Sequence, residues 1–390
     1  MSNPLDWLDA VAAERRAAGL SRALIPCRPA RPGWVERNGR VLRHFGSNDY
    51  LGLAGDPRLK AAATSAMATH GWGTRASALV SGWTELHQEL VEALAQFEQT
   101  EAAALFPTGF AANLGTVAAL AGPEDAIYCD RLNHACLIAG ARLSGARLRV
   151  FPHADAERLA AILERDRGRF RRSLIATDGV FSMDGDLAPL ARLVELADAF
   201  GAMLLVDEAH GTGVFGATGR GAGEASGVAD AIPIRVGTLS KALGGLGGFV
   251  AGSRRLVDHL INHAGSLIYS TALPPAAAAA ALAALEIVRQ EPQRREHVLA
   301  LGAHLRAGMS ALGLRTLSES GPIVPLLVGS ADEAVALASQ LEARGHFVPA
   351  IRPPTVPANT ARLRISLTAS HTIDDVDQLL ADLARVAEGS

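Results

Sequence analysis

Lysine is nearly absent from this chain. Of its 37 basic residues only positions 60 and 241 are lysine, so chemistry that needs a primary amine has two candidates, Lys60 and Lys241. Cysteine is also sparse: Cys27, Cys129 and Cys136 are odd in number and form no CxxC pair, which argues against a disulfide framework and a zinc site. They read as small buried hydrophobes. Long apolar runs are missing as well. The longest, ten residues at 276–285, is half of the roughly 20 that a membrane-spanning helix needs, and no signal-peptide core precedes the first helix. A cytoplasmic protein without membrane association is expected. Charge of either sign is not in excess: 37 basic against 40 acidic side chains leave −3, which excludes electrostatic capture of nucleic acid as the main activity.

What is present is a globular balance, 49% apolar and 20% charged over 390 residues, enough for a large domain and a smaller one. Residues 1–50 read as an arm: an amphipathic helix near 5–20, then two short apolar segments around Asn38-Gly39, a two-residue hairpin signal. From 51 to 275 short apolar runs (102–106, 126–129, 148–151, 174–176, 203–206, 232–236, 248–251) alternate with helical periodicity, the rhythm of an α/β domain with a mostly parallel sheet between helices. Residues 276–390 change character. A long Ala/Leu/Arg helix is followed by alternating segments at 323–328, 347–351 and 362–367 and by helices at 332–344 and from Ile373, a smaller α+β domain.

Several motifs tempt and fail. GTGVFG at 211–216 matches GxGxxG, but six glycines between 211 and 223 make a loop where a dinucleotide site would open a helix. DEAH at 207–210 lacks an upstream phosphate loop with its lysine. The arginines at 165, 167, 169, 171 and 172 read as a solvated helix end. No HExxH pair occurs, so no metal is expected.

The remaining signals lie at the carboxyl ends of expected strands, where open α/β sheets bind ligands. In FPTGFAAN (106–113) a small turn opens a helix, so the amides of Gly109 and Phe110 can face an anion. Asp207 closes the strand at 203–206, with His210 one turn on. A half-buried carboxylate there needs a cationic partner or hydrogen bonds to stay charged; the partner could be a protonated pyridine nitrogen or an arginine from a neighbouring element. Lys241 lies between an apolar strand and four glycines, a setting that desolvates an amine and makes it nucleophilic. Lys60 lies on a polar helix face. Phosphate loop, strand-end acid and desolvated lysine together specify a pyridoxal phosphate site.

With these residues in place, the chain resembles the fold-type-I pyridoxal enzymes of the α-oxoamine synthase family over nearly its whole length. The likeness is carried by NDYLGL (48–53), TGFAAN (108–113), Asn133-His134, DGVFSMDG (178–185), DEAHGTG (207–213), TLSK (238–241), IYST (268–271) and IRPPTVP (351–357) followed by ARLR (361–364). It implies pyridoxal 5′-phosphate (PLP) as cofactor, with Lys241 bonded to it, Asp207 on its ring nitrogen, His210 and Ser182 at its phenolic oxygen, and His134 stacked on its ring. Gly109, Phe110 and Thr238 would hold the phosphate. Arg352 would bind the amino-acid carboxylate, with Arg22, Asn48 and Thr355 in the substrate pocket and His134 shared between cofactor and substrate. The IRPPTVP segment points to the member that joins L-alanine to a pimeloyl thioester, carried by coenzyme A or acyl carrier protein. The same chemistry on another thioester or amino acid, as in 2-amino-3-ketobutyrate ligase or 5-aminolevulinate synthase, stays open, as does an aminotransferase on the same fold. A catalytically silent subunit is argued against by intact Lys241, Asp207 and His210. The family builds its site at a homodimer interface, with Ser270 or Thr271 the residue to look to for a contact with the neighbour's phosphate. Two positions depart from the family pattern: Asn133 stands where serine is usual, and Asp178 where glutamate is usual.

Overall fold

The computed structural model describes residues 3–388. The chain divides into two compact units, one of residues 48–182 and 186–297 and one of residues up to 47, 183–185 and from 298 onward. Among the described residues no helix is long and apolar enough to cross a membrane.

The larger unit is built on seven strands: β1 (Ala102–Phe106), β2 (Ala126–Asp130), β3 (Arg147–Phe151), β4 (Ser173–Asp178), β5 (Met203–Asp207), β6 (Ile234–Thr238) and β7 (Gly248–Gly252). Their order in the sheet is β1-β7-β6-β5-β4-β2-β3. Only β7 opposes the others, pairing antiparallel with β1 and β6, so the sheet is mostly parallel. β1, β2, β6 and β7 are buried at every position, as strands covered by helices on both faces must be. β3 lies at an edge and carries Arg147 and Arg149, charges that block further pairing. The core on one face joins Phe106, Ile127, Leu137, Leu205 and Val250.

This topology fixes the site before any side chain is considered. Six strands run the same way, so their carboxyl ends share one edge of the sheet. Register places Asp178 beside Asp207 and both Thr238 and Phe106 opposite Gly248. Five of the motifs named above therefore leave the sheet on the same side.

In the smaller unit Trp34–Arg37 and Arg40–His44 form the expected hairpin, with Asn38 and Gly39 at φ of 52° and 72°, the left-handed pair that a tight two-residue turn requires. Cys27–Arg31 and His346–Phe347 complete a four-stranded sheet, and Ile323–Gly329, Ala361–Ser366 and Ala350–Ile351 form a three-stranded one. The apolar segment at 347–351 is thus two short strands in different sheets, separated by Val348 and by Pro349, which has no N–H to donate. The long helix expected from 276 is likewise two helices, Pro275–Gln290 and Pro292–Ala311, because a proline ring inside a helix displaces the preceding turn. Pro233 similarly delays the strand expected at 232, which begins at Ile234.

Candidate active site

The turn after β1 leads into α1 (Gly109–Leu120), capped by Thr108, whose Oγ1 accepts the Ala111 N–H at 3.0 Å. This leaves the first-turn amides of Gly109 and Phe110 directed outward at the positive end of the helix, a ready anion site. A side chain at Gly109 would meet Thr238 Cβ at 3.0 Å, and one at Gly248 would meet the Thr108 carbonyl at 2.4 Å. These glycines let the Thr238 strand close on the helix start. Thr238 Oγ1 lies 2.8 Å from Ser240 Oγ and donates to the Gly247 carbonyl at 2.9 Å.

After β2 the chain turns into α2 (Ala135–Leu143), with His134 at its N-cap. The two departures from the family pattern hold this turn. Asn133 Nδ2 donates to the Ala176 carbonyl at 2.6 Å, and Asp178 Oδ2 accepts the His134 backbone N–H at 2.8 Å. Burial first, then the neighbouring Asp207 charge, raises Asp178 well above the usual carboxylate range. Burial lowers His134 below the usual imidazole range.

Asp207, at the end of β5, is the electrostatic centre. It is 4% exposed; Oδ2 accepts from Asn113 Nδ2 at 2.8 Å and Oδ1 from the Ala209 N–H at 2.9 Å. Among the described residues no arginine, lysine or histidine lies within ion-pair distance of it. Of the stabilisers left open by the sequence, the arginine is absent among the described residues and the hydrogen bonds are present. A protonated ring nitrogen would add a positive charge beside them. That, with the anion site at Gly109 and Phe110 and a lysine close by, fits a phosphorylated pyridine bearing a carbonyl. Gly109, Phe110 and Thr238 would hold the phosphate, Asp207 the nitrogen and Lys241 the carbonyl carbon.

Lys241 sits in the turn from Leu239 to Gly247, closed by Gly244 N–H to the Lys241 carbonyl at 2.9 Å and Gly245 N–H to the Leu239 carbonyl at 2.7 Å. Gly244 has φ of 64°, and a Cβ there would lie 2.5 Å from Ala54 N. The half-buried lysine is flanked by buried Leu239, Ala242 and Leu243. Its Nζ lies 2.9 Å from His210 Nε2, and His210 Nδ1 lies 2.6 Å from Tyr50 Oη, which reaches Asn48 Oδ1 at 3.3 Å. Lys60 lies exposed on the helix Pro57–His70.

Ser182 follows β4 in a loop closed by Phe181 N–H to the Asp186 carbonyl at 2.9 Å. His153 ties that loop to the end of β2. Its Nδ1 is 3.1 Å from Asp130 Oδ1, its Nε2 is 2.9 Å from Asp186 Oδ2, and its ring meets Phe181 edge-on. Arg22, Arg352 and Thr355 belong to the smaller unit. There Arg22 Nη2 donates to Thr355 Oγ1 at 3.2 Å, while Arg352 donates to the carbonyls of Gly19 and Ser21. The arginines at 165–172 pair with Glu124, Asp125, Glu164 and Asp166, as a solvated helix end should.

The larger unit thus brings together Asn48, Gly109, Phe110, His134, Ser182, Asp207, His210, Thr238 and Lys241 around one edge of the sheet. Sequence reasoning did not assign Tyr50, Asn113, Cys136 or His153. Asn113 alone carried a local signal: it is an amide in a helix that is otherwise apolar but for Thr116, and a buried amide calls for a partner.

The chain matches the family model described as aminotransferase class I and II over residues 42–383. It is 49% identical to the 8-amino-7-oxononanoate synthase of Anaeromyxobacter dehalogenans, over 98% of this chain and 96% of that one. A serine palmitoyltransferase from S. paucimobilis, solved with a bound PLP–myriocin aldimine, superposes with a TM-score of 0.94 at 31% identity, covering 100% of this chain and 99% of that one. An 8-amino-7-oxononanoate synthase from Francisella tularensis gives a TM-score of 0.78 at 30% identity, over 89% and 98%.

Burial pulls the His153 pKa down, but the hydrogen bonds to Asp130 and Asp186 outweigh it and raise it to about 10. A pKa raised on folding adds stability that is full below about 6.5 and is lost as pH rises towards the folded value. His153→Gln is therefore expected to destabilise the chain by about 1–3 kcal/mol near pH 6, with the difference shrinking towards pH 10. Urea unfolding across that range checks this, and a difference independent of pH would contradict it.

Proposed function

The chain belongs to the class I and II aminotransferase family as a PLP-dependent enzyme of the α-oxoamine synthase type, and from that premise we propose that it joins L-alanine to a pimeloyl thioester, releasing CO₂ and free thiol and giving 8-amino-7-oxononanoate for biotin synthesis. The observation that carries the reading is Asp207, a buried carboxylate lacking an ion-pair partner among the described residues, on the same sheet edge as the one half-buried lysine. The choice of substrates rests on the relatives' names and on the IRPPTVP segment at 351–357.

When bound, PLP supplies an electron sink for negative charge developing at the amino-acid Cα. The chain supplies the rest. Gly109 and Phe110 N–H groups and Thr238 would anchor the phosphate, and Asp207, oriented by Asn113 and the Ala209 N–H, would keep the ring nitrogen protonated. Ser182 and His210 would contact the phenolic oxygen. Lys241 Nζ removes the alanine Cα proton and later returns one, with His210 Nε2 at 2.9 Å to exchange it. Tyr50 holds the other nitrogen of that imidazole at 2.6 Å. By the likeness to the family, Arg352 would bind the alanine carboxylate through two parallel hydrogen bonds, and Arg22 and Thr355, which hydrogen-bond one another in the same unit, would serve the substrate as well. Cα bonds to the acyl carbon as the thiol leaves, and departure of the carboxylate as CO₂ makes the overall reaction irreversible.

A homodimer is part of this reading. Leu79 is 55% exposed, Val80 79% and Tyr269 86%, and they lie on or beside the packed segments Ala78–Gly82 and Gly265–Ile268. Contiguous exposed apolar side chains of this size need cover, and a second copy supplies it. The cytoplasm, where thiols stay reduced, suits three free cysteines.

Product mass spectrometry with alanine, glycine and serine against pimeloyl, succinyl and acetyl thioesters tests the assignment. Alanine with the pimeloyl donor is expected to give the best kcat/KM. The acyl preference over the acetyl donor should exceed the alanine preference, because each extra buried methylene adds about 0.8 kcal/mol while one methyl in a fitted pocket gives about 1–3 kcal/mol in total. Glycine with the acetyl donor as the best pair would move the enzyme to the ligase branch; a pyridoxamine product with alanine would make it an aminotransferase. Light scattering at micromolar concentration should return twice the 40.6 kDa chain mass, and Tyr269→Asp should shift it towards monomer. A wild-type monomer would refute the dimer.

A further inference from the structure

We propose that Cys136 is a positioning residue that holds His134 as the neutral tautomer with its proton on Nε2, so that His134 serves the reaction as a hydrogen-bond donor and not as a base. The catalytic consequence rests on the PLP reading above; the tautomer does not.

The geometry is local. His134 caps α2, and its Nδ1 accepts the Cys136 backbone N–H at 3.3 Å. A backbone N–H can only donate, so this contact, long at 3.3 Å, favours a lone pair on Nδ1 without fixing it alone. Cys136 Sγ lies 2.8 Å from the same Nδ1. The thiol is 1% exposed, and burial, followed by the charges of Asp207 and Asp178, holds its proton on sulfur. It is therefore a second donor to that lone pair. A proton on Nδ1 would face both.

The other charges around the ring agree. Asp207 favours the imidazolium, while Lys241 and, more strongly, burial oppose it. Asp178 is engaged by the His134 backbone N–H and not by its ring. The ring stays neutral with its one proton on Nε2. Such a group can donate to an anionic oxygen of the substrate, while proton removal falls to Lys241. Cysteine suits the position because its side chain is apolar enough for the core beneath α2, where it packs with Leu137 and Cys129, yet still carries a weak donor.

Histidine ¹⁵N NMR on the cofactor-free protein tests this, with His134→Gln to assign the resonance. The wild type should show an unprotonated Nδ1 and a protonated Nε2 at His134. Cys136→Val, which keeps the volume but removes the thiol donor, should shift that resonance towards a tautomer mixture and, in the loaded enzyme, lower kcat/KM about fivefold, the worth of one neutral hydrogen bond. Cys136→Ser should restore both relative to the valine variant. A protonated Nδ1 in the wild type, or a Cys136→Val spectrum identical to it, would overturn the proposal. Failure of every variant to bind PLP, read from the cofactor's absorbance, would instead sink the functional reading and leave the tautomer standing.

Discussion

A carboxylate buried at the end of β5 with no ion-pair partner among the described residues is the constraint on which the site depends. Taking a charge out of water costs several kcal/mol, and proteins keep such a group only where its stabilisation is built in. Asp207 is stabilised by the Asn113 amide and the Ala209 N–H, while Asp178 beside it is pushed towards its neutral form. Two adjacent acids on neighbouring strands therefore divide their roles. Asp178 fixes the turn that presents His134, and Asp207 is the acid proposed to meet a cationic ring nitrogen.

The layer beneath serves the same end. Glu208, raised to about 7 by burial, accepts the N–H groups of Ala222 and Gly223 and so anchors the glycine-rich segment that follows His210. A Cβ at Gly211 or Gly221 would fall within 2.3 Å of its carboxylate, which explains why glycine stands at both positions. Of the six glycines in this loop, Gly211 and Gly221 let the backbone wrap the buried Glu208, Gly216 clears Glu224, and Gly213 and Gly219 approach Ala242 and Arg295. The same economy appears at Gly109 and Gly248, where missing side chains bring Thr238 to the helix start.

What could be read from the sequence was whatever is encoded over a few residues. The strand-end motifs, the Asn38-Gly39 turn, the alternation of strand and helix and the isolation of Lys241 each depend on neighbours within about ten positions. The contacts that escaped join distant segments: Tyr50 to His210 across 160 residues, Asn113 to Asp207 across 94, and His153 to Asp186 across 33. Periodicity has no access to such pairs. Cys136 was read as a core hydrophobe, which it is, but its place two residues after an N-capping histidine gives its thiol a second use. Cys27, expected to be buried like the other two cysteines, is exposed on an all-exposed strand. Proline accounts for the shifted elements, since the missing N–H at Pro233, Pro292 and Pro349 moved or divided segments that hydropathy alone ran together.

The central claim is the proposal that Asp207 pairs with a cationic ring nitrogen. It is tested most directly by comparing PLP with an analogue in which a benzene ring replaces the pyridine and the phosphate, hydroxyl and aldehyde are kept. Equilibrium binding to the cofactor-free enzyme should favour PLP by at least about tenfold, or roughly 1.4 kcal/mol, and Asp207→Leu should abolish that preference. Equal affinity of the wild type for both compounds would contradict the account.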